Sequence, residues 1–173
     1  MQVIDWILKL IGLAFLLAFQ ILVLNNLELG KYLHPYVYPM FIFMLPITTP
    51  RWLTMMIAFA IGLLVDMFNN TPGMHAAACV VIAFARPEIL KLLTPPTGYE
   101  AVISPGVKHL SIAWFAVFSV SMIFVHHTVY FFVEILSFKH LGYTLLTILC
   151  SGIISTVLIL ILTFLFTSKK EKR

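Results

Sequence analysis

The chain has 173 residues, 61% hydrophobic and 10% charged, with a mean hydropathy of +1.03. Soluble domains are typically about 25% charged and disorder needs low hydrophobicity with high charge, so both classes are excluded. A disulfide scaffold is excluded too, because Cys79 and Cys150 both lie in apolar runs. The 11 Lys and Arg against 7 Asp and Glu are dispersed at run ends, apart from the tail Lys169-Lys170-Glu171-Lys172-Arg173. That pattern speaks of membrane topology, with the lipid bilayer as partner and no nucleic acid.

A spanning helix needs about 20 mostly apolar residues. The composition therefore predicts an all-α integral membrane protein, a single polytopic domain over 1–173 with six transmembrane helices. The first run, about 6–24, is longer than a signal-peptide apolar region. It sets Asp5 against Lys9 and has no small-x-small cleavage site before Asn25-Asn26, so it reads as an uncleaved span. The second run, about 36–47, is short, carries Pro39 and ends at Leu45-Pro46 before the turn Thr48-Thr49-Pro50-Arg51. The third, about 52–68, leads to Asn69-Asn70-Thr71-Pro72-Gly73, a strong turn signal. The fourth, about 74–93, is interrupted by Arg86-Pro87-Glu88, and its last turns are expected at the interface. The longest loop, 94–108, precedes the fifth run, about 110–136. A short connection, 137–142, leads to the sixth, about 143–166. Barrel strands would be about 10 residues long and alternating; these runs are longer and apolar all round.

Counting Lys and Arg on alternate loops orients the chain. With both termini cytoplasmic, the inner side holds Lys9, Arg51, Arg86, Lys91, Lys108, Lys169, Lys170, Lys172 and Arg173, and the outer side only Lys31 and Lys139. Trp6, Trp52 and Tyr143 fit interfacial anchors, and Arg51 and Arg86 are expected to snorkel to the inner interface.

The chain contains no His-Glu-x-x-His pair, no Gly-x-Ser-x-Gly elbow, no Walker-type loop and no metal-spaced cysteine cluster. No catalytic residue, cofactor or metal site is assigned. The polar residues within the apolar runs form two stripes. Ala58, Gly62 and Asp66 share a face of the third run. The small residues there allow close helix approach, and Asp66 is placed to accept backbone N–H groups from the following turn or from the helix start near His75. On the fifth run His126, His127, Tyr130 and Glu134 fall within an arc of about 100°. They read as a buried hydrogen-bonded cluster or a partner contact, with a proton relay and a metal site as weaker alternatives. Asp66, His75 and the His126 stripe converge on the outer membrane half. Ser151, Gly152, Ser155 and Thr156 form a small hydroxyl-bearing patch on the sixth run, and Cys79 reads as a small packing residue.

The segment Leu45-Pro46, Pro50-Arg51, Gly62-Leu63-Leu64-Val65-Asp66 and Asn69-Asn70-Thr71-Pro72-Gly73-Met74-His75-Ala76-Ala77 resembles the central signature of the MreD family, rod shape-determining membrane proteins of bacteria, in its Bacteroidetes-type members. About 30 residues carry this resemblance. It implies a fold similar to the substrate-binding membrane subunits of energy-coupling-factor transporters, located in the cytoplasmic (inner) membrane. It implies a non-enzymatic scaffold in cell-wall (peptidoglycan) elongation and cell shape. The implied partners are MreC and the elongation complex of MreB, RodA and its class B penicillin-binding protein. Gly62, Asp66, Gly73, His75, His126, His127, Tyr130 and Glu134 are the partner or structural candidates. The alternative function is a solute-binding transporter subunit on the same fold; an intramembrane enzyme using Asp66 and His126 or His127 is a third.

Overall fold

The computed structural model describes residues 2–27, 29–96, 98–99, 104–107, 110–136 and 141–168. The Trp6 side chain, Lys108, Lys139, the 137–140 part of the last connection and the tail 169–173 lie outside what is described. Among the described residues there are six α-helices and no strand. They are α1 (Gln2–Leu22), α2 (Met40–Phe43), α3 (Arg51–Asn69), α4 (Met74–Leu92), α5 (Ile112–Ile135) and α6 (Leu141–Ser168). Four stretches are long and apolar enough to cross a membrane: Ile7–Asn26, Arg51–Asn69, Ile112–Ile135 and Leu141–Phe166. The protein is thus an all-helical, multi-pass membrane protein. The fourth helix has 19 residues, but Arg86, Glu88 and Lys91 lower its apolarity.

Consecutive long helices pack on each other from α3 to α6, and α1 leans on α2 and α3. The periodicity of α3 explains its placement. Thr54, Ala58, Ile61, Gly62, Val65 and Asp66 are buried, while Trp52, Met56, Phe59, Leu63 and Met67 form an exposed apolar stripe on the opposite face. Trp52 and Tyr143, both exposed, stand at the starts of α3 and α6, as interfacial anchors would.

The 36–47 run is not a spanning helix. Its only helix is the single turn of α2, and the chain from Leu33 to Val37 is extended. The prolines explain this. Pro35 and Pro39 disfavour helix at the residues before them, and Pro39 and Pro46 leave only six residues between them. Yet among the described residues this stretch is deeply buried. Val37, Tyr38, Ile42 and Phe43 have no exposed surface, and Leu45 has 2%.

Its path can be traced by hydrogen bonds to α6. The Tyr143 hydroxyl donates to the Lys31 carbonyl (2.7 Å), and Ser151 Oγ donates to the Tyr32 carbonyl (3.1 Å). Ser151 Oγ accepts from the His34 N–H and Ser155 Oγ from the Tyr36 N–H, both at 2.9 Å. The Thr163 hydroxyl lies 4.0 Å from Met40 Sδ. From Tyr143 to Thr163 a helix rises about 30 Å, the thickness of a bilayer core. Residues 33–37, flanked by turns at 31–32 and 38–39, run beside the middle of that rise, and the long Tyr143 and Met40 side chains make the contacts at its two ends. Beyond Met40, the Arg86 guanidinium donates to the carbonyls of Phe43, Leu45 and Pro46. Arg86 therefore does not snorkel; it is 1% exposed and binds backbone. Arg51 instead pairs with Glu88 at 2.7 Å.

Candidate functional site

The turn between α3 and α4 is held by three elements. Asn70 ends α3 in the left-handed region (φ 55°) and Gly73 opens α4 there (φ 82°). Gly73 suits that conformation because it lacks a Cβ. Asp66 then closes the corner. Its Oδ1 accepts from the Thr71 hydroxyl (2.7 Å) and the His75 N–H (3.0 Å), and its Oδ2 from the Ala76 N–H (2.9 Å). The carboxylate thereby satisfies free N–H groups at a helix start, where the dipole also favours negative charge. Gly62, one turn earlier, lets α4 approach. A Cβ there would lie 2.5 Å from Ala76 Cα and 2.7 Å from both the Ala76 nitrogen and the His75 oxygen.

From this corner a chain of side-chain hydrogen bonds runs into the interior. Gln20 of α1 donates to Asn25 Oδ1 (2.8 Å), and Asn25 Nδ2 donates to Asn69 Oδ1 (2.6 Å). With its oxygen so engaged, Asn69 presents its amide nitrogen to His75 Nε2 at 3.2 Å. A neutral imidazole that accepts at Nε2 carries its proton on Nδ1. His75 Nδ1 therefore donates to the Tyr38 hydroxyl (2.9 Å), which donates in turn to His126 Nε2 (2.7 Å). Cys79 Sγ also points at the Tyr38 hydroxyl, at 3.6 Å. The chain ends on His126 Nδ1, which is buried and has no partner among the described residues.

A second relay holds the same extended segment from the other side. His127 Nδ1 sits 2.9 Å from the Ile123 carbonyl, which can only accept, so this nitrogen carries the proton. Its Nε2 then accepts from Ser155 Oγ (3.2 Å), whose oxygen accepts the Tyr36 N–H. Gln20 completes the clamp by donating to the Pro35 carbonyl (3.0 Å) and accepting the Val37 N–H (2.8 Å). Aromatic rings fill the space between. Tyr36 lies 5.0 Å from His75 and 5.1 Å from Tyr130, and Tyr130 lies 4.5 Å from His75, centroid to centroid.

Seven of the eight residues singled out in the sequence come together. Gly62, Asp66, Gly73 and His75 build the α3–α4 corner, and His126, His127 and Tyr130 meet it from α5. Glu134 is exposed and joins none of these bonds. Tyr38, the residue bridging two histidines, and the amides Gln20, Asn25 and Asn69 were not singled out. The pattern Pro35-Tyr36-Val37-Tyr38-Pro39 was the available signal, because tyrosines two apart between prolines suit an extended chain. A lone Gln20 in an apolar run was another. Among the described residues no three His, Cys, Asp or Glu side chains are grouped to hold a metal ion. No family model, no curated protein and no solved structure matches this chain.

Proposed function

We propose that this chain is a non-enzymatic membrane scaffold of the bacterial cell-wall elongation complex, an MreD-type subunit that works with MreC in the cytoplasmic membrane. The observation that carries the reading is the use of the interior polar groups. Asp66 bonds the backbone of 75 and 76, His75 bonds Tyr38, His127 bonds Ser155, and Ser155, Ser151 and Gln20 hold the backbone of 34–37. Side chains spent on holding a polypeptide segment are what a scaffold requires. The segment 45–77 that resembles the family contains the close α3–α4 approach around Gly62 and Asp66. The apolar stripe Trp52, Met56, Phe59, Leu63 and Met67 is exposed for lipid or a partner helix.

The proposed topology has six crossings with both termini cytoplasmic. Five are helical, and the sixth is residues 31–46. Non-helical backbone is tolerated at membrane depth only where protein surrounds it; the burial of 35–43 and the side-chain partners of its N–H groups meet that condition. The arrangement is proposed to follow the substrate-binding subunits of energy-coupling-factor transporters.

The test is depletion of the protein in its native bacterium, together with affinity purification in mild detergent. Loss of rod shape and recovery of MreC, a single-span coiled-coil protein, are expected. Normal shape on depletion, with specific uptake of a solute lost instead, would replace the scaffold by the transporter reading.

A further inference from the structure

The end of the bundle where α3 begins and α4 ends carries an unbalanced charge. Arg86 is buried, and its Nε and Nη2 atoms face only carbonyl oxygens, those of Phe43, Leu45 and Pro46. Carbonyl dipoles solvate a guanidinium but do not neutralise it, and a buried charge is unfavourable unless paired. The carboxylate two residues on, Glu88, is taken by Arg51. Among the described residues Arg86 has no ion pair.

Arg86 also lines a cleft of about 430 Å³ whose rim includes Arg51 and Lys91 and whose wall includes Ile47, Leu90 and Tyr99. Three cations thus face one carboxylate, Glu88. The Arg86 Nη1 edge is not used by the carbonyls. The cleft stands at the ends of apolar helices, the depth at which lipid headgroups lie. Apolar wall, cationic rim and interfacial depth together match an anionic headgroup attached to an acyl chain.

We propose that this cleft binds the phosphate of an acidic phospholipid from the surrounding leaflet. The Arg86 Nη1 group supplies a charge-assisted hydrogen bond to a phosphate oxygen, Lys91 adds a point charge at the rim, and Ile47 and Leu90 receive the start of an acyl chain. The lipid neutralises the guanidinium that pins Phe43, Leu45 and Pro46, so the bound headgroup also fastens the end of the 31–46 segment. The site is independent of the cell-wall assignment and needs only that the protein lies in a bilayer.

The full chain is reconstituted with equal amounts of phosphatidylglycerol and phosphatidylcholine, extracted, and weighed intact by native mass spectrometry. One phosphatidylglycerol retained per chain, in clear preference to phosphatidylcholine, is the expected result. Lys91→Gln removes an exposed charge without touching the packing, and should lower that preference about fivefold, the effect of one cation near a charged surface. Arg86→Lys keeps the charge but has no second nitrogen to reach the lipid while holding the carbonyls, and should release the lipid; if it fails to fold, Lys91→Gln with Arg51→Gln carries the test. Equal retention of the two lipids, or a preference unchanged by Lys91→Gln, overturns the proposal. Complete displacement of phosphatidylglycerol by excess inorganic phosphate overturns it in favour of a soluble anion.

Discussion

Adding one methyl group at Gly62 should dismantle the α3–α4 corner. The Gly62→Ala Cβ would meet Ala76 Cα at 2.5 Å, with the Ala76 nitrogen and the His75 oxygen at 2.7 Å. These are backbone atoms, which have no rotamer to escape into. Ordinary carbon contact needs about 3.5–4.0 Å, so α4 must retreat by roughly 1 Å. The Asp66 bonds to the His75 and Ala76 N–H groups, now 3.0 and 2.9 Å, would then stretch to nearly 4 Å, beyond hydrogen-bond range. Overpacking costs about 1–3 kcal/mol, and a lost helix cap about 0.5–2 kcal/mol. For a chain of this length that corresponds to a Tm lower by roughly 5–15 °C. Thermal challenge in mild detergent followed by size-exclusion chromatography reads the shift. The Asp66→Asn change should cost less in the Gly62→Ala background than alone, because the cap is already broken. An unchanged Tm for Gly62→Ala, or full additivity of the pair, would refute the close contact.

Other substitutions probe the polar interior by the same thermal assay. Asp66→Asn leaves one acceptor where two carboxylate oxygens serve three donors; it should lose about 1–3 kcal/mol, and Asp66→Leu more. Equal stability of Asp66→Asn and the native chain would contradict the capping role. Tyr38→Phe removes the hydroxyl between His75 and His126 and should destabilise by a similar amount, about 1–3 kcal/mol, whereas Glu134→Gln, at an exposed position, should leave Tm unchanged. Gln20→Leu strips partners from the Pro35 carbonyl and the Val37 N–H at once and should loosen α1, seen as faster proteolysis between α1 and α3; protection equal to the native chain would show that α1 is held otherwise.

The apolar runs made the membrane class and four of the helices legible, because length and hydropathy alone decide which segments lie in lipid. The α3–α4 corner was legible too. A small residue, an acid one turn later and a glycine-bearing turn are local features, and the partners of Asp66 lie within ten residues of it. The 31–46 segment was not. Its hydropathy resembles that of a helix, and what keeps it extended is the set of prolines together with Ser151 and Ser155, more than a hundred residues away. Such long-range satisfaction of backbone groups leaves no period in the sequence. Arg86 was misplaced for the same reason: its acceptors are carbonyls of Phe43, Leu45 and Pro46, which any residue carries. His126 and His127 were recognised as a pair, but the adjacent rings serve different partners, Tyr38 and Ser155.

Everything proposed about topology depends on residues 31–46 passing from one membrane face to the other. Single cysteines placed at Lys31 and at Thr49, in a background carrying Cys79→Ala and Cys150→Ala, test this in intact cells with a membrane-impermeant maleimide. Labelling at position 31 from outside, and at position 49 only after the membrane is opened, is the predicted result. Labelling of both positions from the same side would contradict it, and would make the buried segment a loop that enters and leaves by one face.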